Sequence, residues 1–226
     1  MKPMREKLFD IGLVAATLWM AASALPAHAQ TAAQPENLVE KLSGGVDTAP
    51  DIDIPALRQQ VAERIKAKAD NTALRRPPIA PQLLKLPQST FEIQFDPDTP
   101  VVRPASYRTI GRIADALTNP KLQPDMFLVV AHTESTGRRE INVTLSQRRA
   151  DAVRDILSAT FKVSPKRLRS VGLGEEQLQD ALRPNAPANL RVQIIAIGEM
   201  PVASPAAPAP VPRGKEAAPK AKNKKK

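Results

Sequence analysis

Cysteine is absent from all 226 residues, which removes disulfides, thiolate chemistry and cysteine-ligated metals from consideration. Histidine occurs only at His28 and His132, far short of the three or four ligands that a zinc site needs. Aromatic residues are 3% of the chain. Beyond residue 29 they are Phe91, Phe95, Tyr107, Phe127 and Phe161, which argues against a single-strand nucleic-acid binder that stacks bases along a basic groove. The formal charge of +10 does not restore that reading, because residues 213–226 hold seven bases and one acid. The basicity is a tail, and the body of the chain has little net charge.

No apolar run is long enough to read clearly as a membrane span. Lys2, Arg5 and Lys7 precede an apolar stretch over residues 11–25 that ends in Ala27-His28-Ala29. A basic region, a short apolar region and a small-x-small site read as a secretory signal peptide over residues 1–29. Cleavage before Gln30 would remove Trp19, the one tryptophan, and place the mature chain in the periplasm. Residues 30–50, with Gly44-Gly45 and Pro50, read as a flexible arm. Asp53 as N-cap and Pro55 in the first turn then open an amphipathic helix with Ile54, Leu57, Val61 and Ile65 on one side. Such a stripe predicts a helix laid against the main domain or against a second copy. Pro77, Pro78, Pro81 and Pro87 read as an extended connector that completes a 30–86 segment. Residues 200–226, rich in Pro, Ala and Lys, read as a disordered tail. It serves as a solvated spacer or reaches an anionic glycan or lipid headgroup.

Between these extensions, residues 87–199 have the pattern of one domain. In FEIQF, Phe91, Ile93 and Phe95 alternate with Glu92 and Gln94, the mark of a half-buried strand. Ile110, Ile113, Ala114 and Leu117 recur at helical spacing after Pro104 and stop by Asn119-Pro120. The apolar run over residues 126–131 reads as a central strand buried on both faces. A longer helix follows from about Asn142 to Phe161, with Leu145, Val153, Ile156 and Leu157 inward. Residues 168–174 read as a third strand, 175–182 as a short helical turn and 190–197 as a fourth strand. The order predicts an α+β fold, a two-layer sandwich with a small mixed four-stranded sheet and helices on one face.

One stretch has the chemistry of a site. Glu134 follows the central strand, and Arg149 lies fifteen positions later on the long helix. A carboxylate and a guanidinium held apart in one pocket suit a zwitterion, since the acid accepts from an ammonium and the planar fork grips a carboxylate. The alternative is a mutual surface salt bridge, which contributes little. His132 at a strand end reads as a hydrogen-bonded structural residue, and Ser146, with no histidine partner, as a helix residue bonding backbone. Gly172 and Gly174 lack the setting of a phosphate loop. No enzymatic site, metal or cofactor is expected.

Several motifs occur in a recognisable order: Phe95-Asp96, Ala131-His132-Thr133-Glu134 with Gly137, Asn142, Leu145-Ser146, Arg149-Ala150, Gly172-Leu173-Gly174-Glu175 and Asn189-Leu190-Arg191-Val192. In this the chain resembles the OmpA-like (OmpA/MotB C-terminal) peptidoglycan-binding domain family from about residue 87 to 197. The resemblance implies a non-catalytic protein of the Gram-negative envelope, associated with the outer membrane or wall, that binds the peptidoglycan stem peptide. It implies that Glu134 meets the ammonium of diaminopimelate and Arg149 its carboxylate. Asn142 and Thr133 would hold loop and ligand, with Asp96 bordering the pocket. The chain departs from the family pattern at Glu134, where aspartate is usual and the carboxylate reaches about 1.5 Å farther, at Ala131 for glycine, and at Leu190 for arginine. Two other functions share these residues. One is a membrane-anchored stator or transport subunit, which requires the N-terminal run to stay attached; the other is an envelope scaffold without stem binding.

Overall fold

An unbroken apolar strand is stable only where both of its faces are covered, and residues 126–131 set that requirement for the whole domain. In the computed structural model, which describes residues 35–44, 52–67 and 76–200, they form the middle of a strand. The described elements are α1 (Pro35–Leu42), α2 (Ile54–Lys66), β1 (Gln88–Phe91), α3 (Tyr107–Leu117), β2 (Asp125–His132), α4 (Arg139–Ala159), β3 (Leu168–Gly174) and β4 (Val192–Glu199). The signal-like segment, the start of the arm and most of the basic tail lie outside the described residues.

The sheet order is β1-β4-β2-β3. β2 runs parallel to β3 and antiparallel to β4, and β4 is antiparallel to β1. The fold is therefore α+β around a mixed four-stranded sheet, as the residue pattern predicts. A parallel β2–β3 pair needs a crossover, and α4 supplies it. Phe127, Val129 and Ala131 face one way with Val192, Ile194 and Ala196, beneath α3 and α4. Leu128 and Val130 face the other way with Val171, Leu173, Ile195 and Ile197.

That second face changes the expected layering. Helices were predicted on one face only, yet Leu57, Val61 and Ile65 of α2, with Ile79, Leu83 and Leu86, cover the other. The physical cause is the apolar character of both faces of β2, β3 and β4, which a two-layer arrangement would leave half in water. The amphipathic helix thus lies against its own domain. Asp53 caps it, accepting from the Ala56 N–H at 3.1 Å. Within the supposed flexible arm, α1 buries Leu38, Val39 and Leu42 on the first face. The proline-rich connector is not wholly extended either: Pro81–Lys85 is a 3-10 turn that buries Leu83.

Two other elements differ from expectation. The first strand ends at Phe91 because its partner β4 begins at Val192, opposite Phe91. Residues 93–95 keep their burial alternation but pair instead with the following hairpin, through Asp96 N–H to Val101 O and Arg103 N–H to Gln94 O, each 2.9 Å. Residues 175–182 form turns and bends, not a helical turn. Buried Asn189 holds them, donating to the Asp180, Arg183 and Pro184 carbonyls and accepting from Asp180 N–H at 2.9 Å.

α4 rests directly on β3. A Cβ added at Gly172 would lie 2.1 Å from the Gln147 backbone nitrogen, so helix and strand touch through their main chains. We expect Gly172→Ala to destabilise the fold by about 3 kcal/mol or more, because the contact is between two backbones and cannot yield. Gly137→Ala should cost only about 1 kcal/mol, since its φ of 74° is strained for alanine but a Cβ there meets nothing within 4 Å. Urea unfolding of both variants checks the ordering.

Candidate functional site

The crossover from β2 to α4 builds the site. Residues 133–138 form a loop pinned by Thr133 N–H to Gly174 O and Ser135 N–H to Pro184 O, both 2.9 Å. Gly137, at φ 74°, turns this loop into α4. A cleft of about 820 Å³ lies between the loop, the first half of α4 and the hairpin after Phe95. Glu134 and Arg149 both line it, together with Thr133 and Asn142.

Arg149 is only 6% exposed. Its guanidinium sits 4.8 Å above the Phe95 ring, and its Nε donates to the Thr99 carbonyl at 3.0 Å. Burial pushes its pKa below the ordinary arginine value, while the Asp98 and Glu134 carboxylates push it back up. That Nε bond is the one hydrogen bond of the guanidinium among the described residues, so Glu134 and Arg149 share a cleft without being joined. The arrangement is a fixed cation facing a half-buried acid, able to hold both ends of a small dipolar group.

The remaining predicted residues divide. Asn142 is buried and lines the cleft, but its amide donates to Glu175 Oε2 at 2.7 Å, so it also ties α4 to the turn after β3. The Thr133 hydroxyl is buried with no hydrogen-bond partner among the described residues. Asp96 lies outside the cleft lining and pairs with Arg103 at 3.1 Å on the surface. The turn at residues 96–99 presents Asp98 to the cleft instead, with φ 55°, and the Asp-Pro-Asp-Thr-Pro run was the available sign of it. Leu190, where the family pattern has arginine, contributes an apolar wall. Ser146 bonds backbone as expected, donating to Val143 O and accepting from Gly174 N–H.

Residues 94–190 match the family model described as the OmpA family. The chain is 35% identical over 106 residues to outer membrane porin F of Pseudomonas fluorescens, a stretch that is 46% of this chain and 31% of the porin. It is 34% identical over 106 residues to peptidoglycan-binding protein ArfA of Mycobacterium tuberculosis, covering 46% of this chain and 31% of that protein. To the peptidoglycan-associated lipoprotein of Brucella melitensis it is 34% identical over 86 residues, 38% of this chain and 49% of the lipoprotein. The chain thus spans between about a third and a half of these relatives.

His132, beside the loop, is structural. It is 1% exposed, and its Nε2 lies 2.7 Å from Gln193 Oε1. Gln193 uses its amide nitrogen on Gln88 and Thr90, so the imidazole Nε2–H is the donor. Burial first, and then the positive charge of Arg191, lowers the His132 pKa to about 3. The unfolded chain therefore takes up a proton near pH 6.5 that the folded protein refuses until about 3, and stability falls as pH drops through that window. The unfolding free energy of wild type minus that of His132→Gln should fall by on the order of 2 kcal/mol between pH 7 and 4.5. A constant difference in urea titrations would mean that the folded imidazole protonates normally.

Proposed function

The chain carries an OmpA-like domain over residues 94–190, and on that premise we propose that it binds peptidoglycan without catalysis, linking the cell envelope to the wall. One observation carries this reading: Glu134 and Arg149 open onto the same cleft while, among the described residues, the guanidinium is hydrogen-bonded only to the Thr99 carbonyl. The ligand we assign is the stem peptide, held by the free amino-acid end of diaminopimelate. Arg149 takes its carboxylate on the terminal guanidinium nitrogens, and Glu134 accepts from its ammonium. Asp98 adds a second carboxylate on the ammonium side, and Leu190 offers an apolar wall to the ligand's methylenes. Asn142 and Thr133 shape the pocket, Asn142 through its bond to Glu175.

Each charge-assisted hydrogen bond contributes about 1.5 to 3 kcal/mol, less the ordering cost of binding. Affinity per stem is modest, and the polymeric wall adds avidity where several copies engage. The Mycobacterium protein is named for binding peptidoglycan and the Brucella protein for association with it, which supports the extension to this chain. The signal-like N-terminus and the relatives support a periplasmic location near the outer membrane or the wall. The basic tail is then free to reach anionic glycolipid.

Purified peptidoglycan should pellet the wild-type chain and retain at least tenfold less Arg149→Ala, the loss of one charge-assisted bond being worth about that factor. Equal retention of the two proteins would refute the clamp. Glu134→Asp separates this function from a scaffold role: measurable binding by either form keeps the wall as ligand, and none by either removes it.

A further inference from the structure

Behind the cleft wall lies a buried ionic cluster that the ligand reading does not use. Glu175 and Glu176 follow β3, with side chains 3% and 0% exposed. Arg139, at the start of α4, grips Glu176 with Nε at 2.8 Å and Nη2 at 2.6 Å. The other guanidinium comes from outside the family match. Arg76, 6% exposed, approaches Glu175 Oε1 at 3.4 Å and Glu176 at 3.7 Å, and donates to the Glu175 carbonyl at 3.1 Å. Arg76 opens the segment that runs under the sheet through Ile79, Leu83 and Leu86. The second oxygen of Glu175 accepts from Asn142, which lines the cleft.

Resting on the stem-binding reading, we propose that residues 76–86 act as a strap whose docking positions the binding cleft, through the relay Arg76–Glu175–Asn142. Two carboxylates buried side by side need both guanidiniums, because removing one partner of a buried pair leaves uncompensated charge. With the strap lifted, Glu175 is drawn toward Arg139 or toward water, and Asn142 loses the acceptor that fixes its amide. Strap docking and ligand binding then share one coupling free energy, and each strengthens the other by the same factor. A partner that peels the strap from the sheet lowers wall affinity without touching the cleft.

The test titrates the full chain with a soluble muropeptide carrying diaminopimelate. Arg76→Gln should weaken binding about tenfold, with Arg76→Lys between it and wild type. Val39→Ala, which loosens α1 on the opposite face of the sheet, should bind as wild type does. In the unmodified protein, saturating muropeptide should slow hydrogen exchange at the Leu83 and Leu86 amides, a readout that needs no variant. Undiminished binding by folded Arg76→Gln, equal loss in Val39→Ala, or unchanged exchange at both amides would overturn the strap. If wild type itself binds no muropeptide, the stem reading fails separately, and the Asn142 side-chain amide resonance still decides the relay. A shift in Arg76→Gln or Arg76→Lys supports it, and no shift overturns it.

Discussion

The main-chain contact between α4 and β3 is the constraint on which the rest of the structure depends. Gly172 and Gly174 leave no space for a side chain beneath the helix, so α4 lies closer to the sheet than an ordinary packed helix. The same contact is tightened by hydrogen bonds, since Gln147 Oε1 accepts from Gly172 N–H and Ser146 Oγ from Gly174 N–H. With α4 fixed this closely, the short loop from β2 has one place to go, and Glu134 arrives facing the helix turn that carries Arg149. The cleft is thus a consequence of how α4 packs on β3.

A second theme is the use of buried arginine as a connector. Arg167 is 3% exposed and donates to the carbonyls of Leu117, Leu122 and Asp125, closing the end of α3 onto the start of β2. Its guanidinium also lies over Phe127, 5.3 Å from the ring centre. Arg191, whose pKa burial pushes down to about 10, donates to Gln177 and Asn189 carbonyls in the loop before β4. The planar fork satisfies several acceptors at once, which lets irregular backbone be buried in this domain without regular pairing. Arg149 spends its Nε–H in the same manner, on the Thr99 carbonyl, and its side chain lines the cleft.

Much of this was legible from residue pattern, and the rest was not for definable reasons. The periodicity of Ile110, Ile113, Ala114 and Leu117 and the unbroken run at 126–131 located α3 and β2 to within a residue or two, because local pattern and burial agree there. β1 was misplaced because strand ends depend on where the partner begins, and Phe91 has no ladder beyond Val192. The turn at 175–182 was misread because Asn189, seven or more residues away, decides its path. Of the cleft lining, Glu134 and Arg149 were recognisable by charge and order. Asp98 was not, since a left-handed residue in a proline-flanked turn faces a direction that alternation along an extended strand cannot predict.

The extent of the folding unit follows from the same facts. The family match covers residues 94–190, yet β1 precedes it and β4, which pairs with both β1 and β2, follows it. The apolar lower face of the sheet is covered by α2 and the strap, which also lie outside the match. A chain cut to the matched residues would lose two of four strands and expose Leu128, Val130, Val171 and Leu173, removing about 6 to 12 kcal/mol at about 1.5 to 3 kcal/mol per side chain, as much as a domain's whole usual margin of stability. The motif-bearing segment therefore holds the cleft and the α4–β3 contact that shapes it, but the residues that complete the sheet and cover its lower face lie on either side of it.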